Sequence, residues 1–183
     1  MMYIESKNRF LIVGILGLFV IFLVFFNFFE SGDFSCVVNN ELRIVNGNSL
    51  SGLIESGAEV NILYGYYACN VVNRNDVVVY NYSGSENSLI KIVKGLPKDT
   101  FNVSLVDGFY VLVINGGIVR NSDGEIYVLD RKQRQMILLY VNSYGGVIPE
   151  NTYLILGNLV FGSLDSTRFG LVSRRDIVGK VVY

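Results

Sequence analysis

The sequence contains no histidine, and this absence excludes the hydrolase mechanisms that depend on an imidazole. Ser-His-Asp and Cys-His mechanisms need an imidazole base, so neither is available to this chain. The usual zinc hydrolase sites need histidine as well, and two cysteines are too few for a zinc site built from cysteine alone. We therefore predict no metal ion and no cofactor. A serine nucleophile would need another base, for which lysine is the remaining precedent.

Cysteine and proline are also rare, and the net charge is close to zero. Cys36 and Cys69 are the only cysteines, and the sequence is equally compatible with a disulfide between them and with two separate thiols. A formal net charge of -1 indicates no nucleic-acid partner. Only two prolines, among many close turns, are typical of a compact β domain rather than of a disordered stalk.

Charged residues are missing altogether from residues 10–29, which read FLIVGILGLFVIFLVFFNFF. Twenty helical residues at ~1.5 Å per residue span roughly 30 Å, the thickness of the hydrocarbon core of a bilayer. Phe28 and Phe29 are too bulky for the cleavage site of a signal peptide, which needs small residues. The segment therefore predicts a permanent transmembrane helix.

Charges on either side of this segment predict its orientation. Lys7 and Arg9 precede it, whereas Glu30 and Asp33 follow it, so the positive-inside rule places the N-terminus in the cytoplasm. We predict a single-pass membrane protein in contact with the lipid bilayer. Its predicted parts are a cytoplasmic N-terminus at 1–9, a transmembrane helix at 10–29, a linker at 30–40 and an extracytoplasmic domain at 41–183.

The extracytoplasmic part predicts a mainly β fold, a partly closed barrel or a sandwich. Short runs of Val, Ile, Leu and Tyr alternate with Gly, Asn, Asp and Ser. Asn115-Gly116 predicts a tight hairpin turn, because both positions tolerate positive φ. Residues 131–139 are compatible with a short helix instead of a strand. The predicted strands are 41–46, 58–64, 76–82, 88–94, 108–114, 117–120, 126–130, 137–142, 152–156 and 177–182.

Lys91 lies among apolar residues, in the segment SLIKIVKGLPKD at 88–99. To accept a proton near pH 7, a lysine must have its pKa lowered by ~3 from about 10.4, which represents roughly 4 kcal/mol, and burial supplies such a change. Strand alternation puts Leu89 and Lys91 on one face and Ile90 and Ile92 on the other, so Lys91 has apolar neighbours whichever face is buried. The residues alone leave two interpretations open: a general base, or an edge-strand lysine whose amine reaches solvent.

Ser49 lies in the segment GNSL at 47–50 and also has two interpretations. A serine after Gly-Asn is typical of a turn in which the hydroxyl bonds the local backbone. The same hydroxyl becomes a nucleophile if a lysine base is held beside it.

Three segments, in chain order, resemble the type I signal peptidases, which are membrane-anchored serine-lysine endopeptidases. GNSLSGLIESGAEV resembles the motif G-x-S-M-x-P-T-L-x-x-G-D-x-V. NDVVVYNYSGSENSLIKIVKGLPKD resembles G-D-[IV]-V-V-[FY] followed by K-R-V-x-G-L-P-G-D. YLILGNLVFGSLDSTRFGLV resembles Y-x-x-x-G-D-N-R-x-x-S-x-D-S-R-x-x-G-x-V, and IVGK follows it as I-x-G-K. Each segment is weak alone, whereas the ordered set is specific.

The resemblance implies a role for each matching residue. Ser49 is the nucleophile, and its own backbone N–H stabilises the oxyanion. Lys91 is the general base, Ser163 holds the lysine amine in line, and Asp165 braces the site through an ion pair. Gly47 stands where some members carry a hydroxyl that assists the oxyanion. The remaining predicted site residues are Asn48 beside the nucleophile and Leu50, Leu89 and Ile90 against the substrate.

The chain departs from the family motifs around these residues, though not at Ser49, Lys91 or Ser163. Thr167 replaces the arginine that usually follows D-S, so Asp165 needs another cation, and Arg168 is the nearest one in sequence. The other departures are Leu50 for Met, Gly52 and Leu53 for Pro-Thr, Ile92 for Arg, Lys98 for Gly, and Asn158, Leu159 and Val160 for Asp-Asn-Arg.

The resemblance implies an endopeptidase that removes signal peptides from exported precursor proteins by a Ser-Lys dyad. It also implies cleavage after a small residue, with another small residue two positions earlier. Two other functions are compatible with the sequence. One is a specialised maturation or self-cleaving serine-lysine peptidase, and the other is an inactive membrane-anchored β module that binds a partner.

Overall fold

The computed structural model of the chain describes residues 38–84 and 87–183. Residues outside these ranges include the predicted transmembrane segment and the linker up to residue 37, which contains Cys36. Cys69 lies within them and is disulfide-bonded. Within the described ranges, no helix has the length and apolar character needed to cross a membrane. The strands are β1 (Asn39–Ile44), β2 (Glu59–Tyr64), β3 (Val77–Tyr80), β4 (Leu89–Gly95), β5 (Phe101–Val106), β6 (Phe109–Ile114), β7 (Gly117–Ile118), β8 (Thr152–Leu156), β9 (Val172–Ser173) and β10 (Ile177–Val182), and the helices are α1 (Arg131–Tyr144) and α2 (Ser166–Phe169).

The strands form two sheets, which confirms the prediction of a mainly β fold. The larger sheet has seven strands in the order β1-β2-β10-β3-β4-β8-β9, and the smaller one has three in the order β5-β6-β7. The part of the chain that the structure describes forms no closed barrel, because β1 and β9 end the larger sheet without pairing with each other. The larger sheet therefore stays open in the described residues.

The centre of the larger sheet is apolar on both faces. All four residues of β3 are buried, and so are the last four of β8, as expected for strands rich in Val, Ile and Leu that are covered on both sides. β4 lies between these two strands and pairs antiparallel with each. The strand that carries Lys91 is therefore an inner strand and not an edge.

Helix α1 replaces the strand that was predicted at 137–142. Its start is set by a capping box, in which the Asp130 side chain accepts from the Gln133 N–H and the Gln133 side chain accepts from the Asp130 N–H. Gly145 ends the helix in the left-handed conformation. The alternative of a helix at 131–139 is thus confirmed, and the helix continues to Tyr144. The buried residues of this helix are Gln133 and Ile137. They are four positions apart and therefore lie on the same face of the helix.

The hairpin at Asn115-Gly116 is confirmed, with φ of 50° and 76° at the turn between β6 and β7. The predicted strand at 126–130 is wrong, because Ile126 and Val128 form only isolated bridges. The other predicted segments each contain a strand. Two strands were not predicted: β5, in which polar and apolar residues mix, and the two-residue β9.

Candidate active site

Ser49 lies in a tight turn between β1 and β2. Leu50, 1% exposed, anchors the turn in the apolar core, and its carbonyl accepts from the N–H groups of Leu53 and Ile54. The Asn48 carbonyl accepts from the Ser51 N–H at 3.0 Å, which closes the turn around Ser49. Because Leu50 follows directly and is buried in the core, the Ser49 side chain lies half-buried at the surface of that core.

Lys91 projects from β4 towards this turn. Its Nζ lies 2.9 Å from Ser49 Oγ and donates a second hydrogen bond to the Ile90 carbonyl at 2.8 Å. Only 3% of Lys91 is exposed, so the interpretation as an edge-strand lysine reaching solvent is wrong. The structure thus brings together two residues that are 42 positions apart in sequence.

Burial lowers the pKa of the Lys91 amine from 10.5 to about 8, because the charged form loses its hydration. The negative charge of Asp165 acts in the opposite direction and raises this pKa. With a pKa of about 8, roughly a tenth of the Lys91 side chains are neutral at pH 7 and able to accept a proton.

Asp165 is held by hydrogen bonds rather than by a cation. Its carboxylate accepts from the Thr167 N–H, from the Thr167 hydroxyl at 2.7 Å and from the Gly157 N–H at 3.0 Å. Gln133 donates in turn to the Thr167 hydroxyl at 2.9 Å. Arg168 pairs with Asp130 at 3.0 Å instead, since residues 166–169 are helical, so the expectation that Arg168 neutralises Asp165 is wrong.

Ser163 is buried beside the turn that contains Ser49, but it does not hydrogen-bond to Lys91. Within the described residues its hydroxyl is the one buried side-chain polar atom that has no partner. Gly157 separates it from the turn: a Cβ at Gly157 would lie 2.3 Å from Ser163 Oγ and 2.7 Å from the Ser49 carbonyl oxygen. Only glycine allows these two segments to approach so closely.

A cleft of about 500 Å³ runs between β1 and the first half of β4. Ser49 and Lys91 line it, and its walls include the apolar side chains of Ile44, Ile62 and Val79. Of the other predicted site residues, the cleft contains Gly47, Leu50, Leu89 and Ile90. Asn48 is exposed outside it and contributes its carbonyl to the turn.

The sequence did not reveal the residues that support the site. Asn158 is 0% exposed and hydrogen-bonds both to the turn that contains Ser49 and to residues 121–122. Thr167 and Gln133 hold Asp165, although nothing in their local sequence indicates it. The sequence signal for two of them is the family motif, from which Asn158 and Thr167 depart.

Comparison with known proteins identifies the family. The family described as signal peptidase, peptidase S26, matches residues 7–183, nearly the whole chain. The chain belongs to this family. The match includes every residue that lines the cleft of this S26 peptidase.

Relatives of this S26 peptidase are named signal peptidases. Signal peptidase IB of Staphylococcus aureus strain COL is 29% identical over 147 residues, which cover 76% of this chain and 74% of the relative. The enzyme of the same name from strain N315 has the same identity and coverage. A crystal structure of a signal peptidase I from Enterococcus faecalis V583 has a TM-score of 0.45 and 23% identity, and covers 62% of this chain and 98% of that chain.

Proposed function

We propose that this S26 peptidase is a serine endopeptidase that removes signal peptides from exported precursor proteins, with Ser49 as nucleophile and Lys91 as general base. One observation carries the proposal: a buried amine with a pKa of about 8 lies 2.9 Å from a serine hydroxyl at the wall of a cleft. Membership of the signal peptidase family and the absence of histidine from the sequence support the same roles.

Acylation begins with neutral Lys91. Its Nζ accepts the proton of Ser49 Oγ, and Oγ attacks the carbonyl carbon of the scissile peptide bond. Negative charge develops on the carbonyl oxygen, which the backbone N–H of Ser49 stabilises. No acceptor for that N–H is found among the described residues, so it is free to bind the oxyanion.

Breakdown of this intermediate uses the proton that Lys91 has gained. The Lys91 ammonium protonates the leaving amine, the C–N bond breaks, and an ester links the signal peptide to Ser49 Oγ. Lys91, neutral again, takes a proton from water, which attacks the ester carbonyl. The Lys91 ammonium then returns a proton to Ser49 Oγ as the signal peptide leaves, which restores the starting state.

Substrate binds in the cleft as an extended strand. β1 is the last strand of the larger sheet, and β8 pairs with β4 only from Ile92 onwards, so residues 89–91 have no strand partner on that side of β4. Residues of both strands line the cleft, which fits a peptide strand that pairs with the enzyme backbone. The apolar walls around Leu50 and Ile90 match small apolar side chains next to the cut.

The predicted transmembrane segment at 10–29 completes the proposal. It anchors the protein as a single-pass membrane protein, with residues 1–9 in the cytoplasm and the domain at 41–183 outside. A precursor that has crossed the membrane then meets the cleft on the side where its signal peptide must be removed.

The proposal is tested by cleavage of a purified exported precursor by the full-length protein in detergent. We expect the mass of the product to show one cut after a small residue. Changing that residue of the precursor to phenylalanine should lower kcat/KM at least about 100-fold, because the resemblance to signal peptidases implies a site that takes only a small residue there. The same change ten residues beyond the cut is the control and should have little effect. No cleavage, or cleavage that tolerates phenylalanine, would contradict the function.

A further inference from the structure

We infer that Asn158 is a positioning residue, which acts through Ser51 to aim the backbone N–H of Ser49 at the substrate carbonyl. The inference rests on the proposed function, since it concerns the oxyanion donor of that reaction. It assigns a role to a side chain that touches neither Ser49 Oγ nor Lys91.

Asn158 joins the nucleophile turn to a rigid neighbouring loop. Its side-chain N–H₂ group donates to the Ser51 carbonyl at 2.9 Å and to the Ser122 hydroxyl at 2.8 Å. Its side-chain oxygen accepts from the Ser122 N–H at 3.0 Å, and its backbone carbonyl accepts from the Asn121 side chain at 3.1 Å. Both side-chain N–H groups of Asn158 and its side-chain oxygen therefore have hydrogen-bond partners, as expected for a buried amide.

Residues 121–125 provide the fixed end of this connection. The Asn121 side-chain oxygen accepts from the N–H groups of Asp123 and Glu125, and its amide donates to the Glu125 carboxylate at 2.9 Å. The Asn121 N–H donates to the Glu125 carbonyl as well. The hydrogen bonds of Asn121 hold the loop at 121–125 in one conformation. Asn158 therefore connects the turn that contains Ser49 to a well-ordered loop.

Ser51 passes this restraint on to the peptide group of the nucleophile. Its N–H donates to the Asn48 carbonyl at 3.0 Å, while its own carbonyl is held by Asn158. No peptide bond among the described residues is cis, so the Ser49 N–H points opposite to the Asn48 carbonyl in the same plane. Because that carbonyl is turned towards Ser51, the Ser49 N–H is turned away from the turn.

A second hydrogen bond fixes the other side of Ser49. The Leu159 N–H donates to the Ser49 carbonyl at 3.1 Å, so residues 158 and 159 hold the carbonyls of Ser49 and Ser51 on either side of buried Leu50. The peptide groups before and after Ser49 are therefore both restrained. Preorganised donors of this kind stabilise an oxyanion without reorganisation during the reaction.

Asparagine is suited to this position by its chemistry. An aspartate, which the family motif has here, offers no N–H to the Ser51 carbonyl and would set a carboxylate against it. Asn158→Asp keeps the shape and removes the contact, and Asn158→Ala removes it without adding charge. We expect either change to lower kcat by about 10- to 100-fold and to leave KM within about twofold, since losing one oxyanion donor altogether costs about 100- to 1000-fold.

We would measure kcat at a pH high enough that Lys91 is neutral and kcat no longer changes with pH. A change in the pKa of Lys91 then does not affect the comparison. A peptide aldehyde, which adds Ser49 Oγ to its carbonyl carbon and places a tetrahedral oxygen at the oxyanion position, should lose affinity by the same factor as kcat. Asn70→Asp is the matched control, because Asn70 also donates to a main-chain carbonyl, that of Tyr66, but does not line the cleft. It should retain the kcat of the parent.

The outcomes separate the inference from the function on which it rests. Unchanged kcat in folded variants, or a loss confined to KM, would overturn the inference. Failure of both Asn158 variants to fold, seen by circular dichroism, would assign the residue to stability and overturn it too. If Ser49→Ala cleaves as fast as the parent, the proposed function itself fails, whatever the Asn158 variants do.

Discussion

The Lys91→Met variant will cleave a precursor at least about 1000-fold more slowly than the parent, and it will be the more stable of the two. Methionine keeps the length and apolar stem of the buried side chain but has no amine to accept the Ser49 proton. A general base contributes about 100- to 10,000-fold, and in the proposed mechanism Lys91 also returns the proton to the leaving group.

The stability gain follows from the burial of the amine. The fall of the Lys91 pKa from 10.5 to about 8 means that charging this side chain below pH 8 costs roughly 3 kcal/mol in the folded state. The unfolded chain binds the proton more readily, so this cost is fully present below pH 8 and disappears as the pH rises towards 10.5. After the loss of two hydrogen bonds, at about 1 kcal/mol each, we expect the free energy of unfolding at pH 7 to rise by about 1 kcal/mol.

Urea denaturation and precursor cleavage of the same preparation provide both readouts. Lys98→Met is the control, because the exposed Lys98 side chain pairs with no described residue other than exposed Glu150, so it should change neither quantity substantially. If Lys91→Met were inactive and markedly less stable, Lys91 would be a structural residue whose removal disrupts the core. If the variant remained active, another base would be operating.

The Ser49→Ala variant should likewise lose cleavage by at least about 1000-fold, but for a different reason. It retains Lys91 and the cleft, and it lacks the oxygen that forms the acyl-enzyme. The half-buried side chain is small, so the apparent Kd of a precursor peptide should stay within about threefold of the parent value. Peptide binding by fluorescence anisotropy, together with cleavage, separates the two effects.

Ser143→Ala is the matched control for this variant, because Ser143 bonds only within helix α1 and lies outside the cleft. It should cleave at the parent rate. Residual cleavage by Ser49→Ala at a tenth of the parent rate or more would show that a different nucleophile, or water activated directly, performs the reaction.

Local sequence predicted the strands well where a short apolar run ends in turn residues, as at 58–64 and 152–156. It predicted the turn at Asn115-Gly116 because this pair adopts positive φ at both positions at little cost. It failed at 137–142, where the run ILLYVN suits a strand and a helix equally. The decision there came from Asp130 and Gln133, which cap the helix one turn or more earlier.

The proposed pair, Ser49 and Lys91, could be anticipated only through the resemblance to the signal peptidase motifs, because the residues alone leave two interpretations open for each side chain. The supporting residues could not. Asn158 meets Ser51 across 107 positions, and Gln133 meets Thr167 across 34. No local spacing predicts such contacts, because they depend on how the residues after β8 pack against the Ser49 turn and how α1 packs against α2. The motif did indicate that Thr167 replaces an arginine, but only the structure shows that a hydroxyl takes over at Asp165.

The pH dependence of kcat/KM tests the central claim most directly, since it reports the protonation state of the free enzyme's base. The substrate should be a peptide that does not titrate between pH 6 and 10. With a Lys91 pKa of about 8, we expect kcat/KM to rise about tenfold per pH unit below pH 7 and to level off above pH 9. A profile that is flat from pH 6 to 9, or one that rises only near the ordinary lysine pKa of about 10.4, would contradict a buried Lys91 as the general base.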